Sequence, residues 1–196
     1  MSKRYAAVII TGIFLATTTF AGVTDDVKKT VDELFVTATD KNLKNNAQQL
    51  HQALKKSIRS IFDYSEMAKR TLGKHWKMRT QTERTQFTDL LASLLDNTYI
   101  NKFVSYNNEK VVYLKETLDG NYAEVRSKVI TANHDEYSLD YRLHYKNGRW
   151  MVYDIVIEGV SLVSNYRTQF NSIINNSGYS ELVKRLQTKT SELNAS

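Results

Sequence analysis

Two carboxylates on one β-patterned segment, Asp154 and Glu158, are the groups in this 196-residue chain most able to do chemistry. An acid on an apolar strand face is costly to bury unless it is paired. On a regular strand Asp154 points to the same side as Trp150, Val152, Val156 and Glu158. Cone-shaped α+β folds host isomerases in which a buried carboxylate works beside tyrosines, and the chain has twelve tyrosines. Basic partners are also near in sequence, Arg149 and Arg167. We read Asp154 as held in a structural ion pair or hydrogen bond, with a catalytic base as the alternative. The four histidines, His51, His75, His134 and His144, include no pair spaced to set two ligands on one helix face, so no metal site is expected. There is no Gly-x-Ser-x-Gly elbow, no phosphate-cradling glycine loop and no cysteine nucleophile. In Gly159-Val160-Ser161 the second glycine is missing, and Ser161 reads as a helix N-cap. Lys69, Arg70, Lys74, Lys77 and Arg79 form a basic cluster interrupted by Trp76. It is either a solvated face or a surface for anionic headgroups, where each cation near an anionic leaflet contributes on the order of 1 kcal/mol.

The elements that must position these groups are legible from periodicity. Val27, Val31, Leu34 and Phe35, then Leu50, Leu54, Ile58 and Ile61, recur at helical spacing and predict two amphipathic helices. Asp63 can cap a short helix through Leu72, with Gly73 as its stop. Thr80-Gln81-Thr82-Glu83 fits a capping box opening a long helix that turns Phe87, Leu90, Leu91, Leu94, Leu95 and Tyr99 inward. From Lys110 the period becomes two, with strands expected near 110–118, 122–132, 136–146 and 149–158. The turns are Asp119-Gly120-Asn121, Asn133-His134-Asp135 and Asn147-Gly148, so consecutive strands make an antiparallel meander. Tyr137, Leu139, Tyr141, Leu143 and Tyr145 share one face of the third strand. The fourth strand is apolar on both sides and is expected to lie centrally. Helices over 162–175 and 180–193, broken at Ser177-Gly178, complete an α+β chain whose helices cover one face of a curved sheet.

Composition narrows the class. Lys3 and Arg4 precede an uncharged run from Tyr5 to Thr24, with Thr19-Phe20-Ala21 as a cleavage triplet, which is the layout of a secretory signal; an uncleaved anchor is the rival reading. Without Lys3 and Arg4, 25 basic residues face 21 acidic ones, a charge of +4. No other segment is long and apolar enough to span a bilayer. With no cysteine, stability rests on a core rather than on disulfides. No proline, repeat or low-complexity stretch marks a linker, so residues 22–196 are read as a single domain after a signal at 1–21. Modest charge, an export signal and the lack of a recognised motif argue against nucleic-acid binding.

Residues 150–170 pass from β period to helix period with only Glu158 to Val160 between. They match the pattern "dGkW-vyDv-ieGvSLv-nYR-qF" at Gly148, Trp150, Val152, Tyr153, Asp154, Glu158, Gly159, Ser161, Leu162, Asn165, Tyr166, Arg167 and Phe170. A second block comprises Phe62-Asp63-Tyr64, Met67-Ala68, Leu72-Gly73, His75-Trp76, Phe87, Leu94, Leu95 and Tyr99. On these residues the chain resembles the periplasmic MlaC, or toluene-tolerance, family from about Val27 to Leu186, most weakly at 41–57 and 107–136. The resemblance implies a four-stranded meander covered by N- and C-terminal helices and enclosing a deep apolar cavity. It implies a non-enzymatic, soluble phospholipid carrier of the periplasm that maintains outer-membrane lipid asymmetry. Phospholipid would be its cargo, with no cofactor. Its partners would be an outer-membrane lipoprotein–porin complex and an inner-membrane ABC transporter with a periplasmic ring subunit, met as a monomer. The expected cavity lining is Met67, Leu72, Trp76, Leu91, Leu95, Tyr99, Val125, Val129, Leu139, Tyr141, Val160, Leu162, Val163, Tyr166 and Phe170. Tyrosines suit such a wall, with the ring against acyl chain and the hydroxyl on a polar partner.

Overall fold

The computed structural model describes residues 22–104 and 109–195; the signal reading of residues 1–21 lies outside the described residues. Helix α1, Val23–Thr39, carries Asp25 and Asp26 in its first turn, where acids oppose the helix dipole, and buries Val23, Val27, Val31, Leu34 and Ala38. Asp40 caps the short α2, Lys41–Lys44. Asn46 caps α3, Ala47–Ile61, which buries Leu50, Leu54, Ile58 and Ile61. The Asp63 carboxylate accepts the Glu66 amide at 3.0 Å to start α4, Tyr64–Leu72. Gly73, at φ 53°, ends that helix and opens a 3₁₀ helix over Gly73–Met78 that the sequence reading did not foresee. The capping box forms as expected: the Glu83 amide donates to Thr80 Oγ1 at 3.2 Å and the Thr80 amide to Glu83 Oε2 at 2.7 Å, opening α5, Gln81–Val104.

Strands β1, Lys110–Asp119, β2, Tyr122–Ile130, β3, Glu136–Lys146, and β4, Arg149–Ile157, pair in order as an antiparallel meander. Asn147 and Gly148 both take positive φ, 52° and 82°, the geometry a two-residue hairpin turn demands. A second such turn, Glu158-Gly159, folds an unexpected two-residue strand, β5, Val160–Ser161, back onto β4. Glu158 tolerates its φ of 49° because its amide donates to the Ser138 carbonyl at 3.1 Å and its carboxylate accepts the Ser138 amide. The Ser161 hydroxyl then caps α6, Leu162–Ser177, by accepting from the Ser164 amide at 3.0 Å. Gly178 separates α6 from α7, Tyr179–Ala195.

Two sheet expectations are corrected. Arg142 of β3 pairs with Asp154, but Leu143 pairs with Val152, so Tyr153 is an extra residue on β4. This bulge inverts the alternation. Trp150, Val152, Ile155 and Ile157 therefore share the face packed under α1 with Leu139, Tyr141 and Leu143, while Tyr153 and Asp154 face the other way. Nor is β4 central: among the described residues, beyond it lie only β5 and a one-residue bridge from Phe62 to Val152, with the Asp63 amide donating to the Val152 carbonyl at 2.9 Å. Helices consequently reach both faces, α1 on one and α4 with the start of α6 on the other.

Apolar packing forms three clusters. One lies between α1 and the sheet, a second among α4, α5, α6 and α7, and a third among α1, α3 and α5. Phe62, at the α3–α4 junction, touches all three.

Candidate functional site

The structure gathers thirteen of the fifteen expected lining residues in two places. Met67, Leu72, Trp76, Leu91, Leu95, Tyr99, Leu162, Val163, Tyr166 and Phe170 all belong to the cluster among α4–α7. Here Phe170 meets Phe87 edge-on at 5.7 Å and stacks tilted on Tyr166 at 5.3 Å. Burial pushes the Tyr166 phenol up to about 12, with Tyr99 adding to the effect, and burial raises Tyr99 as well. Both phenols stay neutral at any physiological pH, as an apolar wall requires. Val125, Leu139 and Tyr141 lie instead under α1. Val129 is buried farther along β2, paired with Val111 and Tyr137. Val160, which opens β5, stands apart from both groups and is 59 % exposed. Its Gly159-led turn points it to solvent, which the apolar run around it did not reveal.

Within the α4–α7 cluster Phe87, Leu91 and Leu182 are wholly enclosed. An open groove of about 630 Å³ follows α1, and another of about 320 Å³ follows α7. Charged side chains such as Asp25, Lys28, Lys29, Asp32 and Glu33 line the first, and Glu181, Lys184, Arg185, Lys189 and Glu192 the second; neither uses any of the expected residues.

Tyr113, on the sheet face under α1, has a buried hydroxyl without a hydrogen-bond partner in the structure. Burial raises its phenol well above the ordinary value, and the charge of Asp32 adds to this.

Three buried carboxylates fix how the helices sit around this interior. Asp154 accepts the Ser161 hydroxyl at 2.6 Å and the Val163 amide at 3.0 Å, and Arg142 Nη1 lies 3.3 Å away. It thereby anchors the first turn of α6 to the sheet. The expected structural role holds, but the partner is Arg142, across the strand pair, rather than Arg149 or Arg167; the Arg167 Nε donates to the Arg70 carbonyl at 2.7 Å. With its oxygens engaged this way, Asp154 is poorly placed to act as a base. Asp63 joins α4 to β3 through His144 Nε2 at 3.1 Å and the Lys146 ammonium. Burial alone would raise its carboxyl, but the bonds from Lys146 and the Glu66 amide, with the charges of Lys146 and His144, hold it below the usual value. Asp96, only 1 % exposed, ties α5 to α3 and α4: Arg59 donates from Nε at 2.9 Å, Tyr64 from its hydroxyl at 2.6 Å, and Lys55 lies 3.5 Å away. Sequence reading missed Asp96. Its signal was present, an acid on the helical stripe of Ala92 and Ile100, with Lys55 and Arg59 one turn apart on α3.

The basic cluster is partly neutralised. Lys69 and Arg70 share Glu66, at 3.2 and 2.9 Å, and Arg70 also lies over the Tyr153 ring at 4.0 Å. Arg79 pairs with Glu83 at 3.2 Å and covers the Tyr179 ring at 4.4 Å. Lys74 and Lys77 remain exposed to solvent.

Comparison with known proteins bears on this arrangement. The family described as MlaC protein matches residues 28–188, nearly the span over which the sequence motifs run. A curated relative from Haemophilus influenzae, the intermembrane phospholipid transport system binding protein MlaC, is 25% identical over 173 residues, covering 85% of this chain and 81% of the relative. The toluene tolerance protein ttg2D of Pseudomonas putida is 25% identical over 158 residues, 79% of this chain and 74% of that protein. A solved phospholipid-binding protein from Ralstonia solanacearum, in complex with a phospholipid, superposes with a TM-score of 0.80 at 30% identity, covering 89% of this chain and 99% of the other. The fold, the motif blocks and the matched span agree, and the chain belongs to the MlaC family.

Proposed function

We propose that this protein is a soluble periplasmic carrier that encloses phospholipid acyl chains and moves lipid between complexes in the outer and inner membranes. The observation that carries the reading is the likeness, over 89% of the chain, to a structure that holds a phospholipid. Among the described residues no helix is long and apolar enough to cross a membrane, as a carrier between membranes requires. Each methylene brought out of water is worth about 0.8 kcal/mol, so two exposed tails cannot cross an aqueous compartment and must be enclosed. Enclosure need only match the bilayer's own affinity. An interior as apolar as lipid makes transfer nearly neutral, so partners or energy input elsewhere set the direction. The tails would part the packed side chains where the α4–α7 cluster and the α1–sheet cluster approach each other at Phe62, and the Tyr99 and Tyr166 rings would flank them.

The partners implied by family membership are an outer-membrane lipoprotein–porin complex and an inner-membrane ABC transporter with a periplasmic ring subunit, engaged by a monomer. Native mass spectrometry of protein purified without detergent, with organic extraction of any added mass, tests the cargo. A phospholipid increment is expected. A bare protein mass persisting after incubation with phospholipid vesicles would refute the carrier reading. Transfer of labelled phospholipid between donor and acceptor vesicles, faster with the protein than without it, tests the shuttle.

A further inference from the structure

Resting on the carrier reading, we propose that the end of α4, the 3₁₀ helix and the start of α5 form a docking surface for an anionic bilayer, with Lys74 and Lys77 as its contacts and Met78 as its apolar tip. The charge distribution carries the argument. From Glu66 to Arg84 the chain has six cations and two carboxylates, a net +4. The whole stretch from Gly22 onward carries the same net charge, since 27 Lys and Arg less Lys3 and Arg4 leave 25 against 21 acids. The remainder is therefore neutral in sum; its own basic run, residues 41–59 with five cations and no carboxylate, is partly neutralised by Asp96, which pairs with Lys55 and Arg59. Arg167 of α6 adds to the charge of the proposed surface: its side chain lies against Gly73 and donates to the Arg70 carbonyl.

Local pairing then selects the contacts. Glu66 is taken by Lys69 and Arg70, and Glu83 by Arg79. Arg84 is turned inward, 5.3 Å over the Trp76 ring, and donates to the Trp76 carbonyl at 3.2 Å. Among the described residues Lys74 and Lys77 have neither an ion pair nor a side-chain hydrogen bond. Between them the 3₁₀ helix is anchored by the buried His75, whose ring lies 3.0 Å from Asn171, and by Trp76 against the α4–α7 cluster. Met78, next in the chain, is 60 % exposed. An acidic protein surface would call for the cations alone. An exposed thioether beside long, free lysines is instead the amphipathic pattern that suits a headgroup layer, where lysines lay their stems along apolar surface and keep their charges in the phosphate plane. The patch also borders the cluster containing Leu72, Trp76 and Phe170, so docking there would bring the lipid source to the rim of the proposed tail site.

The test is cosedimentation of the full protein with vesicles of phosphatidylcholine alone and of phosphatidylcholine mixed with phosphatidylglycerol, at low and high salt. Binding is expected only to the anionic vesicles and should fade with salt. Each lost cation weakens partitioning about fivefold, so Lys74→Gln with Lys77→Gln should lower it about 25-fold. The charge-matched pair Lys44→Gln with Lys56→Gln should have little effect, and Met78→Ser should weaken binding to the anionic vesicles further. Wild-type protein that ignores anionic vesicles would overturn the proposal, as would a Lys74/Lys77 variant that binds like wild type. Unchanged vesicle binding with impaired capture by an acidic partner protein would overturn it in favour of a protein contact. Thermal melting confirms that each variant folds, and native mass spectrometry of the same samples reports cargo separately. Vesicle binding through these lysines by a chain that carries no phospholipid would sustain the docking surface while defeating the carrier reading.

Discussion

Replacing Asp154 by alanine removes the junction between the sheet and α6. The Val163 amide, in a buried setting, loses its acceptor at 3.0 Å, and the Ser161 hydroxyl loses its acceptor at 2.6 Å. A buried donor left unsatisfied costs about 1–3 kcal/mol, and bonds to a charged group are at the upper end. The Ser161 hydroxyl can rotate toward water, which lowers its share. Arg142, with its side chain 39 % exposed and Glu124 still 3.5 Å away, keeps a partner and adds little. The sum is about 2–4 kcal/mol, which for a chain of this size lowers the melting temperature by roughly 5–12 °C. Asp154→Asn preserves shape and one acceptor and should lose about half as much. Melting followed by circular dichroism, for wild type and both variants, is the assay. A catalytic acid predicts the reverse, since removing a functional charge from an apolar site leaves stability unchanged or raises it. Melting within 1 °C of wild type, on the order of a few tenths of a kcal/mol, would refute the structural role.

The Asp63 carboxyl is held below its ordinary value of 3.8 by Lys146, the Glu66 amide and His144, against the opposing effect of burial. Its contribution is therefore complete above about pH 4 and is lost as the pH falls through the lowered folded value. Melting curves of wild type and Asp63→Asn should differ at neutral pH and converge only below about pH 4; convergence already near pH 6 would show that another group controls the joint. Tyr113→Phe removes a hydroxyl without a partner, so stability should hold or rise slightly; a loss above about 1 kcal/mol would reveal a bond that the structure lacks. Tyr166→Glu should lower the phospholipid increment in native mass spectra of the folded protein, whereas Val160→Glu, at an exposed site, should leave it intact. Equal occupancy in both variants would remove Tyr166 from the proposed tail site.

Much of the fold was legible because its signals are local. The Thr80 capping box, the Asp63 and Ser161 caps and the Asn147-Gly148 turn are each decided within four residues, and each formed. The face of Asp154 was not legible, because a bulge is a property of two paired strands rather than of one. Strand periodicity assumes an unbroken count of two, and the extra Tyr153 breaks it. The same holds for the acid partners. Arg142 lies next to Asp154 only through β3–β4 pairing, and Lys146 reaches Asp63 across 83 residues. That the helix-side candidates face the interior was recoverable from the inward stripes of α4, α5 and α6. Their separation from Val125, Leu139 and Tyr141 was not, since periodicity shows that a residue faces inward without showing which interior it faces.

The division of labour between polar and apolar contacts bears directly on the proposed carriage of lipid. Asp63 and Asp154 each bind a helix to the sheet, and Asp96 binds α5 to α3 and α4, through directional bonds that a hydrocarbon cannot replace, and they fix which elements are neighbours. The contacts among Leu72, Leu91, Leu95, Tyr166 and Phe170 are non-directional, and a methylene chain can substitute for any of them at similar distance and energy. Opening the interior around a tail therefore exchanges one set of dispersion contacts for another, provided the acid joints persist. Loosening the joints would forfeit bonds that lipid could not restore. The physics thus favours small relative shifts of whole helices about fixed polar points, with Phe62 at the place where the three apolar clusters meet and can part.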